Sequence, residues 1–443
     1  MKAIPQGGDD PVRSPGKRRA AASSRFVCLP ALLRGRASAA NSSAPGTKIG
    51  VSVRRVYARA MQATDLRVAL FSGNYNYTRD GANQALNLLV GHLLKQGATV
   101  RVYSPTSRRP AFAPTGELVS VPSIKLPGGR DEYKLARGMP AKIRRDVDAF
   151  KPNLIHVSAP DWLGHAAVRY AEKNGIASVA SYHTRFETYV RYYGIGFLEP
   201  IIINAQRKFY SRVDEVLAPS QMMGEILRDW GVTSHISRWS RGVNHDRFNP
   251  DRRDMEWRRS LGIADDEIAV GFLGRLVKEK GLDMFAEAMH ALDARGVRHK
   301  TLVVGEGPAR DWFAQEIPDA VFAGFQSGDD LGRAVASMDV FFNPSVTETF
   351  GNVTLEAMAA KVPVVAARAS GAVGLIDDGI TGLIVDPTDI PGYADALQRF
   401  CEDDAFRRSA GEAGHAKAAG YRWETINQAV LDTYLAVLER RGK

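Results

Sequence analysis

The chain has 443 residues, 44% apolar and 24% charged, which predicts a globular protein of two domains rather than one core, and no apolar run approaches the ~20 residues needed to cross a bilayer. The formal net charge is +10, but residues 1–60 hold twelve of the 59 Lys/Arg and only Asp9 and Asp10, so the remaining 383 carry 47 charges of each sign. A nucleic-acid partner is therefore not expected, and two cysteines, Cys28 and Cys401, exclude a disulfide framework or a metal-ligand spacing and suit a reducing compartment.

Residues 1–62 form a basic extension rich in Arg, Ala and Ser, without the periodicity of a stable element. Three readings stand for it: sequence ahead of a true start at Met61, a transit peptide, or a disordered tail. Arg34 and Arg36 after the short apolar run Phe26–Leu33 argue against a secretory signal.

From residue 66 strands and helices alternate. "LRVALFSG" reads as a strand, "ANQALNLLVGHLLKQG" as a helix with a Gly stop, and "TVRVYSP" as the next strand. "LIHVSAP", a helix from about Trp162 to Lys173, "ASVASYHT", a long helical stretch and "EVLAPS" follow. This order predicts βαβ units and a parallel sheet. A seam is expected near 235–250, after which "IAVGFLGR", "TLVVGEG", "AVFAGF", "VFFNPS", "VPVVAA" and "GLIVDP" restart the pattern. The fold class is thus α/β, with a domain at 63–240, a second at 241–415 and a final helix over 416–443.

Doubly wound sheets bind ligands beyond the C-terminal ends of their strands, where helix N-termini offer free N–H groups. Several motifs fall there. "GFLGRLVKEKG" puts Gly274, Arg275 and Lys280 after a strand, a cation pair that suits a diphosphate and, read alone, also fits a solvated surface pair. "NPSVTETFGNVTLEAMA" carries Glu348 in a loop, Gly351 and Asn352 at a helix start and Glu356 in the helix. Ser370 to Gly374 reads as a Gly-rich turn open to close ligand approach. In the first half, Gly81 lies in the segment joining the first strand to its helix, where the backbone could approach a phosphate or sugar, and His183 ends a strand. Asp146-Val147-Asp148, the one D-x-D, sits in a polar helix end and reads as a solvated face.

Arg275, Lys280 and the E-x7-E pair Glu348/Glu356 resemble the donor site of retaining glycosyltransferases of the GT-B fold: two Rossmann-like domains facing a central cleft, with a C-terminal crossover helix. "RGVNHDRFNP", "GRLVKEKG", "GEGP", "TETFGNVTLEAMA" and "YRWE" follow the pattern of the large family 4 in order, over about residues 66–435. "SYHTRFETYVRYYG" looks most like the branch of GDP-mannose-dependent α-mannosyltransferases and plant-type sulfoquinovosyl lipid transferases.

The resemblance implies that Arg275 and Lys280 stabilise the leaving diphosphate without a metal, that Glu356 accepts from the ribose, and that Glu348 contacts sugar hydroxyls. It further implies that backbone N–H groups at Phe350, Gly351, Asn352 and Val353 meet the sugar or phosphate, and that His183 lies near the sugar from the other domain. Base choice would depend on contacts near Phe325 and the "GEGP" turn. One departure is Asp80-Gly81-Ala82, where many relatives have a Gly-Gly pair, so Ala82 is expected to reshape the turn. No cofactor is implied beyond the nucleotide-sugar co-substrate. The implied reaction is front-face transfer of a hexose, mannose from GDP-mannose in the first instance, to a lipid or glycan.

A UDP-sugar glycolipid synthase is the alternative. A glycosidase using the two glutamates, or a non-catalytic nucleotide-sugar-binding protein, are the readings from other classes. "RFETYVRYYGIGFLEPIIINAQRKFYSR" suits a surface that rests on a membrane or holds a lipid acceptor, and also fits a helix packed within its domain. Localisation on the cytoplasmic side is implied, or in a plastid if the extension is a transit peptide.

Overall fold

The computed structural model describes residues 61–77, 80–125, 134–188 and 195–442, so the basic extension lies outside them except for its last two residues. The first domain is built on β1 (Arg67–Phe71), β2 (Thr99–Ser104), β3 (Glu117–Ser120), β6 (Leu154–Val157), β7 (Ala177–Ser181), β8 (Glu215–Ala218) and β9 (His235–Arg238), with a small hairpin of β4 (Ser123–Lys125) and β5 (Lys134–Ala136). The seven strands run parallel in the order β3-β2-β1-β6-β7-β8-β9. Val68 of β1 lies opposite Val100 and Leu154, which fixes the central register. Parallel sheets are covered on both faces, so their central strands read as unbroken apolar runs. The edge strands β3 and β9 are half exposed and carry no such run, and the sequence reading passed over them. The expected seam at 235–250 accordingly opens on β9, which still belongs to the first sheet.

The second domain holds β10 (Ala269–Leu273), β11 (Lys300–Val304), β12 (Val321–Gly324), β13 (Val340–Asn343), β14 (Val364–Ala367) and β15 (Gly382–Val385), all parallel, in the order β12-β11-β10-β13-β14-β15. In both sheets the chain reverses direction across the sheet at the first strand, the position where ligands bind in open α/β folds. Each sheet has an apolar core on either face. Trp239 belongs to the first domain's core and Val243 to the second's, so the chain changes domain between them.

The helix Asp404–Ala418 packs on the second domain, with Ala418 fully buried there. The break before the last helix therefore lies at 419–422 rather than at the expected 415/416. The final helix, Trp423–Gly442, returns to the first domain and inserts Val430, Leu431, Tyr434 and Val437 into the core around Leu66, Leu86 and Trp239. Each such burial is worth about 1.5–3 kcal/mol. Tyr434 OH also pairs with His156 Nδ1 at 2.6 Å, and Arg441 pairs with Asp214 at 2.9 Å.

Two local expectations change. Ser370–Gly374 is not an open turn: Ser370–Val373 forms a one-turn helix, with Ala372 and Val373 N–H groups donating to Ala369 O, held down by buried Leu375 and Ile376. In the D-x-D, Asp146 accepts from Tyr103 OH at 2.8 Å and from Arg101 at 3.1 Å, and Asp148 accepts from Tyr170 OH at 2.5 Å. Both carboxylates are thus engaged by side chains of their own domain rather than by solvent alone.

Candidate active site

The loop after β13 is tied down at both ends. Asn343, the last residue of β13, donates through its amide to Thr354 Oγ1 at 3.2 Å and accepts from Ser345 N–H, which fixes the loop to the helix Asn352–Ala359. Thr347 Oγ1 donates to Glu279 O at 3.2 Å, bringing in the turn Lys278–Lys280 that follows β10. These ties place Lys280 Nζ 2.5 Å from Glu348 Oε1, both side chains partly shielded. The predicted diphosphate cation and the predicted sugar carboxylate therefore form an ion pair. An ammonium has three N–H donors, so this pair is compatible with a phosphate oxygen on the same nitrogen.

Gly351 caps the helix Asn352–Ala359 with φ 93°, a left-handed conformation that a side chain would strain. Having no side chain, Gly351 leaves the first N–H groups of the helix uncapped by the N-cap residue, the arrangement that favours an anion. Phe350 turns its ring into the core against Tyr421, so what it offers a ligand is backbone. Val353 packs partly against the same core. Gly371 lies under the loop: a Cβ there would sit 2.6 Å from Glu348 Cβ, so the close approach expected of this segment is to the protein's own loop.

The first domain meets this loop directly. Thr349 Oγ1 donates to His183 O at 3.1 Å, and Ser220 Oγ donates to Thr349 O at 3.2 Å. Gly81 faces Asn352: a Cβ on Gly81 would lie 2.2 Å from Asn352 Nδ2. Gly81 begins the helix Gly81–Lys95, and the capping carboxylate of Asp80 accepts from Asn83 N–H at 2.8 Å. Ala82 follows as the second residue of that helix. Gly81→Ala leaves helix formation intact but must displace the Asn352 amide. We expect roughly tenfold lower kcat/KM with Tm little changed, read by steady-state kinetics beside thermal unfolding; unaltered kinetics would show that the contact is incidental.

Glu356 sits one turn beyond Asn352 on the same helix face. Burial pushes its carboxyl up to about 8, opposed by the charge of Arg247 and reinforced by that of Glu348. Arg247 thus stands beside the predicted ribose acceptor. Three buried polar atoms around this cleft have no partner among the described residues: His183 Nε2, Arg247 Nε and Asn352 Oδ1. Eight further such atoms lie elsewhere among the described residues; what sets these three apart is that His183 bonds to Thr349, Asn352 faces Gly81 and Arg247 acts on Glu356, so a polar ligand at this cleft can complete them.

Arg275 is exposed directly after β10, behind Gly274, whose N–H donates to Val304 O at 3.0 Å. The "GEGP" turn is bonded along its length to that segment, Leu276 N–H donating to Glu306 O and Ala309 N–H to Leu276 O, both at 3.0 Å. Phe325, at the end of β12, is 66% exposed. It stands three strand spacings, about 14 Å, from the loop after β13, room for an extended nucleotide across the strand ends. Sequence reasoning did not single out Arg241, Arg247, Ser220 or Thr349. The first two lie in the quoted "RGVNHDRFNP", where their charge was the available signal.

Known proteins match over the same span. Residues 79–247 match the family described as Glycosyltransferase Family 4, and residues 267–403 match Glycosyl transferases group 1. A GDP-mannose-dependent alpha-mannosyltransferase of Mycolicibacterium smegmatis is 31% identical over 85% of this chain and 99% of its own length. The sulfoquinovosyl transferase SQD2 of Arabidopsis thaliana is 32% identical over 67% of this chain and 59% of its own. Among solved structures, a sucrose-phosphate synthase of Thermosynechococcus elongatus superposes with TM-score 0.69 at 21% identity, covering 84% of this chain and 99% of that one. The glycosyltransferase WaaG superposes with TM-score 0.62 at 17% identity, covering 83% and 99%. The two facing parallel-sheet domains are the GT-B fold, and the chain belongs to family 4 of the glycosyltransferases.

Proposed function

We propose that this glycosyltransferase moves mannose from GDP-mannose to a lipid or glycan acceptor with retention of the anomeric configuration. The observation that carries the donor site is the convergence of His183, Arg247 and Asn352, each with an unpartnered polar atom, on the loop that holds Glu348 paired to Lys280. The likeness to the mycobacterial enzyme supports mannose and GDP.

In this reading the diphosphate lies between Lys280, Arg275 and the N-terminus of the helix Asn352–Ala359, which neutralise the charge that develops on departure. Glu348 accepts from sugar hydroxyls and Glu356 from the ribose. The acceptor hydroxyl enters on the same face as the leaving phosphate, whose oxygen takes its proton. No metal is assigned a role, since the cations and helix N–H groups supply the compensating charge. Phe197 and Ile201, 76% and 63% exposed beside the helix Glu199–Tyr210, favour a lipid acceptor or contact with a membrane surface. No helix among the described residues is long and apolar enough to cross a membrane.

The test offers GDP-mannose, UDP-glucose and other UDP-sugars to the protein, with and without membrane lipid extract. Transfer or slow release of GDP, and an α-linked product by NMR, is the expected result. Consumption of a UDP-sugar instead would favour the glycolipid-synthase reading, to which the likeness to SQD2 lends support. Hydrolysis of a glycoside with no nucleotide-sugar bound would overturn the proposal.

A further inference from the structure

Arg241 lies where the chain leaves the first sheet for the second domain, three residues past the end of β9, and is 4% exposed. Its Nη1 donates to Trp239 O at 2.9 Å and to Ser240 O at 3.1 Å, and its guanidinium stacks 4.9 Å from the centre of the Trp239 ring. Its Nη2 lies 2.7 Å from His183 Nδ1. A guanidinium donates and does not accept, so Nδ1 is the acceptor and the neutral ring carries its proton on Nε2. That Nε2 is buried and has no partner among the described residues. The ring is held from a second direction by Trp239, edge-on with centroids 5.3 Å apart. The His183 carbonyl is meanwhile bonded to Thr349, next to Glu348.

We propose that Arg241 is a positioning residue for transfer: it locks His183 as the neutral Nε2–H tautomer, so that the ring presents a single hydrogen-bond donor to the sugar side of the cleft. The inference rests on the reading of His183 as a residue that faces the donor sugar. A buried cation is costly unless something requires it. Here its charge faces Asp80, the cap of the helix whose first residue opposes Asn352.

The charged and titratable groups around His183 agree. Burial lowers its basicity well below the ordinary histidine value, Arg241 lowers it further from the seam loop, and His156 from β6 adds a small push in the same direction. His156 is itself held to about 3 by burial and is spent on Ser181 Oγ at 2.5 Å and Tyr434 OH at 2.6 Å. His183 therefore stays neutral across the working range, and its donor is not lost by tautomer exchange.

The test compares wild type, Arg241→Met and Arg241→Lys in the full chain with 15N-labelled histidine, using His183→Gln to assign the signals. In the wild type the His183 Nε2 should be protonated and Nδ1 not, unchanged from about pH 5.5 to 8. Arg241→Met should mix the tautomers and raise the His183 titration only in part, since burial, the larger cause of its lowered basicity, remains. Its kcat should fall on the order of 10–100-fold, with a donor KM changed far less and a steeper loss toward acid pH than in the wild type. Arg241→Lys, which keeps a buried cation and a donor, should restore the pH-independent profile in part.

A wild-type His183 spectrum together with a parallel pH profile in folded Arg241→Met would overturn the proposal. So would a wild-type His183 that carries its proton on Nδ1, an outcome that needs no variant to fold. The ring spectra need no substrate, so a failure of the donor assignment shows in the nucleotide-sugar assay and leaves the tautomer result standing.

Discussion

Lys280→Ala is expected to lower kcat for transfer by roughly 10²–10³-fold, the usual cost of removing one group aimed at charge that develops in the transition state. The cleavage of a nucleotide-sugar puts a full extra negative charge on the leaving diphosphate, and only interactions stronger then than in the ground state raise kcat. Lys280 sits after β10 at the point where Glu348 and the N-terminus of the helix Asn352–Ala359 converge. Its removal has a second consequence, because Glu348 is partly shielded and loses its cation. A carboxylate no longer offset by Lys280 repels the incoming diphosphate, so donor affinity should fall as well. Lys280→Ala/Glu348→Gln separates the two effects: it should recover donor affinity and not kcat. Arg275→Ala, which removes an exposed cation directly after β10, should also lose transfer. Initial rates and donor Kd for the four proteins decide the matter. Wild-type turnover in Lys280→Ala and Arg275→Ala would remove the diphosphate assignment.

Much of this site is written locally in the chain. β10 and β13 are short apolar runs that end in glycine or proline, and parallel-sheet geometry sends whatever follows them to the same edge. Gly274, Arg275, Lys280, Glu348 and Gly351 could be gathered on that ground alone. The contacts that close the site are not local. Ser220 reaches Thr349 across 129 positions and Thr349 reaches His183 across 166, and no periodicity records such pairs. Arg241 and Arg247 lie in the expected seam, and nothing local marks them, because their neighbours Asp80, His183 and Glu356 come from other elements. The half-exposed edge strands β3 and β9 were invisible for a different reason: their residues face solvent on one side and lack the apolar run that marks the centre of a parallel sheet.

The resemblance implies that Glu356 accepts from the donor ribose. Its burial adds a pH dependence to the binding itself. Placed in its pocket the carboxyl holds its proton up to about 8, against an ordinary value of 4.5. Between those values the folded chain keeps a proton that the unfolded chain has released, so this group's contribution to stability is complete below about pH 4.5 and is lost as pH rises through about 8. A ribose hydroxyl donates, so it favours the ionised form, and donor binding near neutrality should release this proton. Affinity should then rise by up to about tenfold per pH unit below 8 and level off above it. Glu356→Gln keeps the shape and cannot titrate. It should bind donor roughly 10–100-fold more weakly at pH 8.5, the cost of exchanging a charged for a neutral acceptor, and much closer to wild type at pH 6. Its Tm should exceed that of the wild type at pH 8.5 and match it at pH 5. Calorimetric titration in buffers of different ionisation heat reads the released proton directly. If Glu356→Gln releases as many protons as the wild type and keeps the same slope of affinity with pH, Glu356 is not the ribose acceptor.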